Sequence, residues 1–96
     1  MDKKLYDYKV NEELELLALI KATAERETKT GNPFLTITFQ DTSGEMVGNR
    51  WGVAPEEVEA FQPGRVVSVI GKREEYYGQP QLRIDKIRLA EEGEDA

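Results

Sequence analysis

The stretch "PFLTITFQ" alternates strictly: Leu35, Ile37 and Phe39 occupy one phase, Phe34, Thr36 and Thr38 the other. A period of two with β-branched and aromatic residues predicts a strand buried on one side. "DTSG" follows, where the Asp41 and Ser43 side chains can bond nearby backbone and Gly44 is free to take positive φ. A second strand, from about Met46 to Trp51, then completes a hairpin.

"APEEVEAFQPG" predicts a helix of about two turns. Pro55 suits the first helical position, Glu56 and Glu57 complement the positive end of the dipole, Val58 and Phe61 share a face, and Pro63-Gly64 stops it. A second hairpin follows: Val67 and Val69 alternate with Val66, Ser68 and Ile70, and after a turn Leu82 and Ile84 alternate with Gln81, Arg83 and Asp85. The apolar phase slips by one at Ile87 and Leu89, predicting a bulge or the strand's end.

In "NEELELLALIKATAERETK" two patterns coexist. Glu, Leu, Ala and Lys favour helix, with Leu14, Leu17 and Ala18 at helical spacing. A long strand fits as well, with Leu17 and Leu19 on one face and Leu16, Ala18 and Ile20 on the other, turning at "KTGNP". Periodicity leaves both open.

The 96 residues suffice for one small domain. With no cysteine and no histidine, the chain offers no disulfide, thiolate or imidazole metal ligand, cysteine nucleophile or Ser/His/Asp arrangement. No signal peptide is evident, and no stretch approaches the roughly 20 apolar residues of a membrane span; a cytoplasmic protein is the expectation. The net charge of -6 at first argues against nucleic acid. The ends carry the excess, because residues 16–90 hold ten acids and ten bases. A neutral body can still present a basic face.

The order of these motifs resembles the oligonucleotide-binding OB-fold, a five-stranded Greek-key barrel with a helix between strands three and four. More closely it is similar to the N-terminal OB domain of YhaM-type 3'-5' exoribonucleases. The run "GNPFLTITFQDTSGEMVGNRW", Gly31 to Trp51, and the run from Gly64 to Arg88 with "VVSVIG" and "QLRI" carry the resemblance, which covers roughly residues 5–90. It implies an all-β barrel, with residues 14–28 as the first strand. Such enzymes hold their catalytic metals in a downstream HD domain through His and Asp. The resemblance therefore implies a binding module, not an enzyme, with no metal or cofactor of its own. The expected layout is an N-terminal extension at 1–12, the OB domain at 13–90 and an acidic tail at 91–96.

OB domains receive single strands across the outward face of strands two and three, between the loops joining strands one to two and four to five. On that face the alternation places Phe34, Thr36 and Thr38, with Phe34 either stacking on a base or closing one barrel end. In the next strand, Met46 and Gly48 inward would put Asn49 and Trp51 outward; the other phase buries Asn49 and exposes Arg50, and a Trp can also be a core plug. Lys29, Arg26, Lys72, Arg73, Arg83, Lys86 and Arg88 are phosphate candidates, Lys29 and Arg83 foremost. Interleaved acids make cross-strand ion pairs the competing account. Tyr76 and Tyr77 fall in the last loop; as consecutive strand residues they are expected to face opposite ways, with Tyr77 favoured for the groove. The carboxylate pairs Glu56-Glu57 and Glu74-Glu75 read as solvated surface.

Two functions remain: a binder of single-stranded nucleic acid, RNA in preference to DNA, serving an exoribonuclease; or a protein-interaction and oligomerisation module, which needs no basic excess.

Overall fold

The computed structural model describes residues 4–52 and 55–90. The acidic stretch 91–96 lies outside them. Five strands run in the order β1 (Glu13–Glu27), β2 (Pro33–Asp41), β3 (Gly44–Trp51), β4 (Val66–Tyr76) and β5 (Gln79–Leu89), with one helix, α1 (Pro55–Ala60), between β3 and β4. They close into a barrel in the spatial order β1-β2-β3-β5-β4.

The ambiguous N-terminal segment is a strand. Leu14, Leu16, Ala18 and Ile20 are buried in alternation, and propensity yields because β1 is paired along its whole length. Residues 13–19 pair with β4 and residues 19–27 with β2. Between them the register shifts at Ile20/Ala22, leaving Lys21 as an extra residue that bends β1 from one side of the barrel to the other.

The core takes the predicted phase from each strand: Leu35, Ile37 and Phe39 from β2, Met46 from β3, Val67 and Val69 from β4, Leu82 and Ile84 from β5. Phe61, just past α1, adds a ring, and Arg50 fixes the helix to β3 through Glu57 at 3.1 Å.

Two glycines allow closure. A Cβ on Gly48 would lie 2.8 Å from the Leu82 carbonyl oxygen, where β3 meets β5, and one on Gly71 would lie 1.8 Å from that of Arg83. Gly71 sits where Ile70 pairs with Lys86 but Gly71 with Ile84, so Asp85 is the bulged residue. The slip before Ile87 is therefore a bulge, and β5 continues beyond it.

Ahead of β1, Leu5 and Tyr8 join the core. The "DTSG" turn holds this segment: Asp41 Oδ2 accepts from the Leu5 amide at 2.8 Å while Oδ1 accepts from the Ser43 amide at 2.8 Å. Ser43 Oγ in turn accepts from the Tyr6 amide at 3.1 Å. Among the described residues no helix is long and apolar enough to cross a membrane.

Candidate nucleic-acid interface

Three rows of paired residues build the outer face of β2, β3 and β5. The first is Arg26, Phe34 and Trp51; the second is Ala24, Thr36, Asn49 and Arg83; the third is Ala22, Thr38, Val47 and Gln81. Paired residues share a face of the sheet, so all eleven side chains emerge on one side. The inward phase of Met46 and Gly48 is the observed one, and Trp51 is 56% exposed, which excludes the core-plug account.

Phe34 and Trp51 lie with ring centroids 4.4 Å apart and planes at 33°. Phe34 is half-buried and supports the indole, leaving it accessible. In the next row Thr36 Oγ1 donates to Asn49 Oδ1 at 3.0 Å, and both residues are half-buried.

Arg83 stands beside Asn49 as expected, but acids hold its guanidinium. Its Nε and Nη2 donate to Asp85 at 3.1 and 3.3 Å, and Nη1 lies 4.0 Å from Glu74. The hydrogen bond and charge of Asp85 raise the Arg83 pKa above its ordinary value, so the group is fully cationic but already occupied. Lys29 caps the β1–β2 loop, exposed and without an ion pair among the described residues. That loop is tied internally: the Thr28 amide donates to the Asn32 carbonyl at 2.9 Å, and Thr28 Oγ1 accepts from the Asn32 amide at 3.1 Å.

The remaining cations separate. Lys72 pairs with Arg83 and stays near the face. Arg73 lies 5.6 Å over the Tyr6 ring, on the N-terminal segment. Lys86 and Arg88 pair with Ile70 and Ser68, whose strand neighbours are Glu15 and Leu17, so they belong to the opposite side of the barrel.

At the far end, Tyr76 pairs with Gln79, and Tyr77-Gly78 form a two-residue turn with φ of 51° and 76°. Two positive φ values make a type I′ hairpin turn. The expectation that the two tyrosines face opposite ways is corrected here: Tyr77 has left the extended backbone on which alternation depends. The rings instead meet edge to face, centroids 4.5 Å apart, and are 59% and 88% exposed. Tyr76 lies two residues beyond Glu74, the β4 partner of Gln81, and so on the side of the three rows.

Two members of this face were not singled out as such from the sequence. Arg26, a phosphate candidate, is in β1 opposite Phe34, and it has no ion pair among the described residues. Gln81 arrives through the parallel pairing of β3 with β5, which no local pattern signals. No group of three carboxylates among the described residues is arranged to hold a metal ion.

The chain is 37% identical over 94 residues to the 3'-5' exoribonuclease YhaM of Geobacillus sp. (strain WCH70). The match takes in 98% of this chain but only 29% of that protein. Among solved structures, a replication protein A domain from Methanococcus maripaludis superposes with a TM-score of 0.76 at 18% identity, covering 95% of this chain and 97% of its own. A replication protein A heterotrimer bound to ssDNA gives 0.69 at 13% identity, covering 88% of this chain and 62% of its own. These likenesses speak for the barrel. Residues 18–90 match the model of the OB-fold nucleic acid binding domain, and the chain belongs to that family.

Proposed function

We propose that the outer face of β2, β3 and β5 binds single-stranded RNA and serves as the substrate-binding domain of a YhaM-type 3'-5' exoribonuclease, whose catalysis belongs to an HD domain outside these residues. The observation that carries this reading is the exposed Trp51 ring supported by half-buried Phe34, a stacking platform at the head of a face lined with hydrogen-bonding side chains. Each stacked base contributes about 1–3 kcal/mol. The identity to an exoribonuclease supports RNA as the ligand. With Arg83 occupied by acids, stacking outweighs charge, and affinity falls in the micromolar range or weaker.

Trp51 is the only tryptophan, so its fluorescence reports directly on the proposed face. Titration with short single-stranded RNA at low salt should quench it, in step with a rise in anisotropy of the labelled strand. If neither signal changes at high protein concentration, the reading is wrong.

A second reading rests on the other side of the barrel, where Leu19 and Ile70, both on the outward phase, are each more than a third exposed. Such a surface suits contact with another protein or a second copy of the chain. A mass by light scattering that rises with concentration would support self-association there; a constant monomer mass would remove it.

A further inference from the structure

We propose that Asn49, oriented by Thr36, makes the interface favour bases that carry a carbonyl group, uracil above all, and disfavour adenine. This deepens, and rests on, the reading of the face as a single-strand binding surface.

Thr36 and Asn49 are directly paired across β2 and β3, and the Thr36 hydroxyl donates to Asn49 Oδ1 at 3.0 Å. An amide is planar, so an oxygen turned toward β2 turns Nδ2 away from it, toward the ligand side and β5. Nδ2 makes no hydrogen bond among the described residues. On its other flank Arg83 has its guanidinium held by Asp85 and Glu74. A base stacked on Trp51 thus meets, one row further on, a neighbouring group that can only donate.

Asparagine recognises adenine by using both amide atoms, Oδ1 accepting from N6 and Nδ2 donating to N7. Here Oδ1 is engaged by Thr36 and directed elsewhere, so that paired contact is pre-empted. What remains suits a carbonyl oxygen: O2 or O4 of uracil, O2 of cytosine, O6 of guanine. Adenine has none.

The test compares oligo(U) and oligo(A) of equal length, at one salt concentration, across variants whose folding is checked by thermal melting. Self-stacking of adenines is the same for every variant, so the change in ratio between variants carries the result. The wild type should favour oligo(U) by about fivefold, the worth of one hydrogen bond. Thr36→Val, which keeps the β-branched shape but cannot donate, should bring the ratio toward one; Thr36→Ser should restore it. Asn49→Asp presents an acceptor in place of the donor and should shift the ratio toward oligo(A). An equal ratio in the wild type, or a ratio the same in Thr36→Val as in the wild type, overturns the proposal while leaving the binding face intact. Should Trp51→Ala bind both strands as the wild type does, the face itself is wrong and this inference falls with it.

Discussion

The rings of Phe34 and Trp51 pack at 4.4 Å across directly paired positions of β2 and β3. The half-buried ring holds the exposed one, so the pair acts as a unit. Trp51→Ala should weaken single-strand binding by about tenfold, the loss of one stacked base. Phe34→Ala should weaken it too, by freeing the indole, and should also cost stability because Phe34 is partly buried. Fluorescence anisotropy with each variant, set beside its melting curve, separates the two effects.

The grip of Asp85 on Arg83 limits how much charge the face offers a phosphate. Asp85→Asn should loosen that grip, tighten binding at low salt, and steepen the fall of log K with log salt by about 0.7, one extra phosphate contact on a single strand. An unchanged slope would mean that Arg83 does not reach the backbone.

Tyr77 holds a φ of 51°, in the region that asparagine enters more readily than tyrosine. Tyr77→Asn should therefore raise stability slightly, by about 0.5 kcal/mol, while removing a ring that is 88% exposed. A drop in affinity without a drop in melting temperature would assign Tyr77 to the ligand; unchanged affinity would leave that role to Tyr76.

Gly71 faces the Arg83 carbonyl so closely that any side chain must displace β5. Gly71→Ala should destabilise the barrel by about 3 kcal/mol or more, measured by chemical denaturation. Wild-type stability in that variant would contradict the tight bulge at Asp85.

Asp41 ties the residues ahead of β1 to the β2–β3 turn through the Leu5 and Ser43 amides. Asp41→Ala should cost about 2 kcal/mol and increase amide exchange at Leu5 and Tyr6. The Thr36–Asn49 bond and the Phe34–Trp51 pair lie further along the hairpin, so the oligo(U) to oligo(A) ratio should hold.

Much of this face was legible because it lies on a hairpin whose alternation is unbroken from Phe34 to Trp51. A period of two assigns Thr36 to the outer side of β2 before any partner strand is known, while in β3 it leaves two phases, which the burial of Met46 and Gly48 resolves in favour of Asn49 and Trp51 outward. The slip at Ile87 marks either a bulge or the strand's end in the sequence, and the pairing with β4 makes it the bulge at Asp85. Helical propensity competed in residues 13–27 because Glu, Leu and Ala say nothing of strands that pair from afar. Gln81 was missed for a related reason: the parallel β3–β5 contact joins segments separated by α1 and β4. The tyrosines were misread by extending alternation one residue too far, although a residue followed by Gly78 between two strands is itself a turn signal.

β1 carries one further consequence. Its first half pairs with residues 66–72, about half the chain away. During synthesis the β2–β3 hairpin and the second half of β1 can assemble early, but the row Leu14, Leu16 and Ala18 waits for β4 to emerge. Such distant pairing makes folding slow relative to local structure, and it leaves that apolar row the segment most open to mispairing before the barrel closes.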